Sequence, residues 1–71
     1  MVNTKKLAEL MEKRGILASE LANQVGISNP MMSYITRGMK QPSVEVLVRI
    51  AGALGCKLDD LIDTPKKEDD E

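Results

Sequence analysis

The sequence contains no histidine, phenylalanine or tryptophan, and its 71 residues include one tyrosine and one cysteine. Without histidine, the chain lacks the commonest metal ligand and the commonest acid–base catalyst. It also has no glycine-rich phosphate loop and no nucleophile–base pair. The lone cysteine, Cys56, cannot form a disulfide within the chain, which favours a reducing, intracellular setting. The sequence therefore predicts no metal site, no cofactor and no enzymatic activity, and an aliphatic core.

Long apolar runs are missing as well. No segment approaches the roughly 18 apolar residues that a membrane span needs. The early charges, among them Lys5, Lys6 and Glu9, leave no room for the apolar core of a signal peptide. We therefore expect a single small soluble domain in the cytoplasm, with no membrane partner.

The charge is unevenly distributed along the chain. The formal net charge is −1. Residues 1–56 hold seven basic and four acidic groups, a net charge of +3, whereas residues 57–71 carry a net charge of −4. A basic globular part is thus followed by an acidic end, and the overall pI of about 5.4 hides this division.

Apolar spacing and glycine positions predict an all-α fold. Leu7, Leu10 and Met11 recur at helical spacing, and similar stripes follow until a final short turn. Helices are predicted over 4–14, over 18–25, from the cap Ser28 to Gly38, from Ser43 to Gly55, and over 58–62. We assign residues 1–63 to one domain and expect the charged tail, 64–71, to be disordered.

Residues 17–38, LASELANQVGISNPMMSYITRG, have the spacing of a helix-turn-helix. Gly26 permits the positive φ of a tight turn, and Ser28 caps the following helix. The small Ala22, four residues before Gly26, allows the two helices to cross closely. In DNA-binding proteins of this design the second helix lies in the major groove.

Beyond the turn, the chain resembles the phage-repressor (Cro-like, XRE) helix-turn-helix family over about residues 5–62. The residues that carry the resemblance include Leu21-Ala22, Gly26-Ile27-Ser28, Arg37-Gly38, Pro42-Ser43, Ala53-Leu54-Gly55 and Leu58-Asp59-Asp60-Leu61. The resemblance implies a compact five-helix repressor-type bundle. It also implies a transcription regulator that binds double-stranded operator DNA, with the third helix, about 28–37, in the major groove.

The resemblance also implies which residues contact DNA. The base-reading positions are occupied by Asn29, Pro30, Met31, Ser33 and Tyr34. The phosphate-contacting positions are occupied by Ala18, Ser19, Asn23, Arg37, Lys40 and Ser43.

Two departures from the family stand out. Many members have Thr-Gln where this chain has Leu17-Ala18, so a usual helix cap and a usual DNA-contacting amide are missing. Members often pair an arginine with an acid where Met11 and Thr36 stand, and we expect an apolar contact to replace that ion pair.

Some residues keep two interpretations. Asn29 either contacts an adenine edge or favours the first turn of a helix, and Tyr34 either touches DNA or covers the edge of the core. Arg49 and the other basic residues outside the contact positions can simply be solvated. Met32 is predicted in the core, Met39 exposed and Cys56 buried.

The sequence therefore predicts a sequence-specific transcriptional repressor that acts as a homodimer on a pseudo-palindromic site. We expect the domain itself to form the dimer, around 54–62. Two alternatives remain open. One is an antitoxin-type autorepressor that holds a toxin, and the other is a protein-interaction module that does not bind DNA.

Overall fold

The computed structural model describes residues 2–63, which form an all-α domain. The chain runs through α1 (Thr4–Arg14), α2 (Ala18–Val25), α3 (Asn29–Thr36), α4 (Val44–Leu54) and a 3₁₀ helix (Leu58–Asp60). The predicted all-α bundle is confirmed, although its fifth helical segment is a single 3₁₀ turn. The predicted disordered tail, 64–71, lies outside the described residues.

Side-chain caps begin three of the four α-helices. The side chain of Asn3 accepts a hydrogen bond from the backbone of Lys6, at 3.0 Å. Ser28 and Ser43 accept equivalent bonds at the starts of α3 and α4. Each cap satisfies an N–H that the helix itself leaves without a partner, so the predicted helix starts are confirmed.

The core is aliphatic, as the composition requires. Its largest fully buried side chains come from all four helices and from the segment after the 3₁₀ helix: Leu7, Leu21, Val25, Met32, Ile35, Ile50, Leu54 and Leu61. No polar or charged residue of the described chain is buried. Met32 therefore lies in the core as predicted, and Met11 packs against the core from its edge.

The two ends of the domain meet. Val2 and Ile62 form an isolated antiparallel bridge, and the Asn3 N–H donates to the Leu61 carbonyl at 2.7 Å. Val2 is buried by this pairing. Within residues 2–63, no helix has the length and apolarity needed to cross a membrane.

Candidate nucleic-acid interface

A tight turn joins α2 to α3. Gly26 has φ +85°, a left-handed conformation that favours glycine. Its N–H donates to the Ala22 carbonyl at 2.8 Å, and the Ile27 N–H donates to the same carbonyl at 3.0 Å. Ala22 is fully buried, which agrees with the close helix crossing predicted for a small residue there. The turn sets the direction in which α3 leaves α2.

The exposed face of α3 gathers most of the predicted base-reading residues. Asn29, Pro30, Ser33 and Tyr34 lie at relative positions 0, +1, +4 and +5, which share one side of an α-helix. Tyr34 is 39% exposed, so its side chain reaches solvent. The face offers an amide, two hydroxyls and the apolar surfaces of a proline and an aromatic ring, all suited to base edges.

Met31 lies at the edge of that face. It is half-buried and packs against the core, next to the fully buried Met32. The remaining apolar side of α3 is completed by Ile35. Of the five predicted base-reading residues, Asn29, Pro30 and Tyr34 are therefore exposed, whereas Ser33 and Met31 are half-buried.

The predicted phosphate-contacting residues are divided among α2, the loop after α3 and the start of α4. Arg37 and Lys40 are exposed. The Ser43 hydroxyl accepts from the Val46 N–H at 3.2 Å, so its own proton stays available to an anion. Ser19 and Asn23 are exposed on α2.

The start of α2 lacks a side-chain cap, as the missing threonine predicted. Leu17 occupies the cap position and its side chain is 68% exposed. Glu20 compensates in part, because its Oε1 accepts from the Leu17 N–H at 2.9 Å. Ala18 is half-buried against the core and can offer an anion only its backbone N–H. The start of α2 therefore presents backbone at the position where the family resemblance implies an amide side chain.

Arg49 has a role that the sequence interpretation missed. Its Nη1 donates to the Val25 carbonyl at 3.2 Å, at the end of α2. Its Nη2 donates to Glu45 Oε2 at 2.9 Å. The i,i+4 spacing of Glu45 and Arg49 was visible in the sequence, but the carbonyl is 24 residues away and carries no sequence signal.

The side chains of Thr36 and Cys56 are both directed to the domain itself. The Thr36 hydroxyl donates to the Ser33 carbonyl of its own helix at 3.0 Å. Cys56 is half-buried and packs against the core. Burial raises the pKa of its thiol, with a further contribution from the Asp60 carboxylate. No group of three metal-ligating side chains comes together anywhere in the described part of the chain.

The chain is similar in sequence to known helix-turn-helix proteins. A sequence model of the Cro/C1-type HTH DNA-binding domain matches residues 6–67. The chain is 34% identical over 58 residues to the HTH-type transcriptional regulator DdrOP3 of Deinococcus deserti, covering 82% of this chain and 45% of that protein. It is 49% identical over 35 residues to an uncharacterized HTH-type transcriptional regulator of Mycobacterium tuberculosis, covering 49% of this chain and 25% of that one. The chain thus spans less than half the length of these relatives.

Two solved structures have the same fold. The DNA-binding domain of the P22 c2 repressor superimposes with a TM-score of 0.76 at 27% identity, over 83% of this chain and 78% of that one. The clp gene regulator ClgR from Corynebacterium glutamicum gives a TM-score of 0.76 at 30% identity, over 80% of this chain and 61% of that one.

Proposed function

The chain belongs to the Cro/C1-type helix-turn-helix DNA-binding family, and on this premise we propose that it is a sequence-specific transcriptional repressor of the cytoplasm. The observation that carries the proposal is the outer face of α3 beyond a tight helix-turn-helix turn, on which Asn29 and Tyr34 are exposed and Ser33 is half-buried. The domain binds double-stranded DNA and has no catalytic role.

In this proposal α3, the recognition helix, lies in the major groove. The Asn29 amide both donates to and accepts from an adenine edge. Pro30 and the Tyr34 ring contact thymine methyl groups, and Ser33 bonds to a neighbouring base. Met31 contributes through the edge that it exposes beside the core.

Phosphate contacts hold α3 in register. Arg37 and Lys40 neutralise phosphates beyond the end of α3, and the Ser43 hydroxyl donates to a phosphate at the start of α4. On α2, Ser19 and Asn23 donate from their side chains and Ala18 from its backbone. These contacts carry affinity without sequence information, so they make binding dependent on salt.

The repressor acts as a homodimer on a pseudo-palindromic site. Two copies place their recognition helices one helical turn apart, about 34–36 Å. Within the segment 54–62 predicted for this contact, Leu54 and Leu61 are fully buried in the core and cannot contact a second copy. Leu58 and Ile62, which are half-buried, supply the remaining apolar surface.

Selection of bound sequences from a randomised duplex pool, followed by a salt titration on the enriched sequence, tests the proposal. We expect a two-fold-related motif and an affinity that falls steeply as salt rises. Uniform weak binding to all duplexes would contradict sequence-specific repression and favour a protein-interaction module. Sedimentation on the enriched duplex counts the copies bound, and one copy per site would contradict the homodimer.

A further inference from the structure

Arg49 joins the helix-turn-helix to the helix that follows it. Its bond to the Val25 carbonyl is the one hydrogen bond between α2 and α4 within residues 2–63. The same guanidinium stands 3.8 Å from the position that a Cβ on Gly26 would occupy, so it lies against the turn itself. One planar group therefore bonds to the end of α2 and to Glu45 on α4, and it lies beside the turn.

The proposed DNA-binding surface is divided between these two parts. Ser19 and Asn23 lie on α2, which is continuous through the turn with α3, whereas Ser43 lies at the start of α4. Phosphates recur at regular intervals along a duplex, so both sets of contacts form together most readily when α2 and α4 keep a fixed relation. The hydrogen bond from Arg49 to the Val25 carbonyl adds a directional contact to the apolar packing between α2 and α4.

We infer that Arg49 is a positioning residue for the recognition helix, set by Glu45 and acting through the Val25 carbonyl. This inference rests on the proposed function. The Glu45–Arg49 pair is solvent-exposed, with side chains 74% and 53% accessible, so it contributes little stability by itself. Its effect is orientational, because Glu45 holds one arm of the guanidinium while the other arm reaches the carbonyl.

The chemistry requires arginine. A guanidinium presents several donors in one rigid plane, and two of them are used here on two different helices. A lysine at the same position retains the charge but has a single ammonium on a flexible stem. Arg49→Lys therefore separates positioning from simple attraction to DNA.

The test compares Arg49→Lys and Arg49→Met with the wild-type protein on its selected duplex across a salt series. Positioning predicts that both variants bind about three- to tenfold more weakly, with an unchanged salt slope. A direct phosphate contact predicts instead that lysine preserves binding and that Arg49→Met lowers the slope by about one. Either of these results would overturn the inference while leaving the proposed function intact.

Arg14→Met is the matched control. Arg14 also donates to a carbonyl at a helix end, that of Gly55 at 3.4 Å, but this contact joins α1 to the end of α4. The substitution removes the same charge and a similar bond away from the turn. We expect it to leave the affinity within about twofold of the wild type, and a loss equal to that of Arg49→Met would refute a specific role for Arg49.

Glu45→Gln provides a further test, because the positioning role and simple electrostatics predict opposite changes in DNA affinity. Removing an acidic group from a DNA-binding surface ordinarily strengthens binding, because repulsion of the phosphates is reduced. Positioning by Arg49 predicts weaker binding, since the amide oxygen of glutamine is an uncharged and therefore weaker acceptor for the guanidinium. Tighter binding by Glu45→Gln would contradict the inference.

Hydrogen exchange measures the same role without DNA, so it does not depend on the proposed function. We expect Arg49→Met to speed exchange at the Gly26 and Ile27 amides, which close the turn onto Ala22. The amides of Gly55 and Cys56 close the comparable turn after α4 and should be unaffected. Equal acceleration at both turns, or none at Gly26 and Ile27, would overturn the inference.

Discussion

The backbone N–H of Val2 donates to the side-chain Oε1 of Gln41 at 3.0 Å, although 39 positions separate the two residues. Gln41 follows Lys40 in the loop between α3 and α4. A Cβ on Gly38, in the same loop, would lie 3.3 Å from the Thr4 side chain. The proposed phosphate-contacting loop therefore rests on the start of the chain.

Replacing Gln41 tests this support. Gln41→Met keeps the length of the side chain but removes the acceptor, so we expect a loss of about 1 kcal/mol in the free energy of unfolding. The loop should also hold Lys40 less firmly and weaken DNA binding slightly. Denaturant unfolding measures the first effect, and Gln41→Glu, which keeps an acceptor, should be closer to the wild type. Equal stability of all three proteins would show that the bond contributes nothing.

Replacing two of the glycines by alanine should change the stability of the protein in opposite directions. Gly26 has φ +85° and its Cβ would meet only the Arg49 side chain, so Gly26→Ala should cost about 1–2 kcal/mol through backbone strain. Gly52 lies within α4, and its Cβ would enter open space. Gly52→Ala should therefore stabilise the protein by about 0.5–1 kcal/mol, since alanine is the better helix former. Thermal unfolding of the two variants decides, and a shift of the same sign in both would contradict the argument.

Ser28 allows helix capping to be separated from DNA binding. Its Oγ accepts from the Met31 N–H at 3.2 Å, so Ser28→Ala should cost about 1 kcal/mol of stability. Ser28→Asp should retain the cap, because aspartate is an equally good acceptor there. The added carboxylate would face phosphates at the start of the recognition helix and weaken binding. Unfolding and DNA titration of both variants check this, and strong binding by Ser28→Asp would place Ser28 away from the DNA.

Much of the fold could be predicted because its signals are local. The apolar spacing around Leu7 and the caps Ser28 and Ser43 lie within a few residues of the helices that they define. The family resemblance then supplied the arrangement of the helices. The 3₁₀ turn after α4 was predicted slightly too long, because Leu61 is drawn into the core just beyond it.

The site could be predicted only as a set of positions. Met31 occupies one of the family's base-reading positions, yet its packing against the core depends on helix orientation, which one sequence does not encode locally. The contacts of Arg49 with Val25 and of Val2 with Gln41 join segments far apart in the chain. Neither leaves a periodic pattern, so sequence reasoning classed Arg49 as a solvated charge.

Cys56 should make stability depend on pH in the alkaline range. Burial raises the pKa of its thiol above the ordinary value. In the unfolded chain the Cys56 thiol ionises first, at about pH 8.5. The stability that the protonated thiol contributes to the folded state is therefore complete below that pH, and it is lost as pH rises through the raised folded pKa. Thermal unfolding of wild type and Cys56→Ala between about pH 7 and 10, roughly one and a half units either side of that value, should show the difference in their stabilities shrinking. A constant difference would contradict the shift.

Asn29 and Arg37 should affect DNA recognition in different ways, because one is proposed to read a base and the other to hold a phosphate. Asn29→Ala should relax selectivity at one base pair of each half-site, at a cost of about 1–3 kcal/mol on the preferred sequence. Arg37→Glu should weaken binding to every duplex alike and reduce the salt slope. Repeating the selection from a randomised pool with each variant distinguishes these effects. Unchanged selectivity in Asn29→Ala would assign Asn29 to helix initiation alone, and a loss on only one sequence in Arg37→Glu would argue against a phosphate contact.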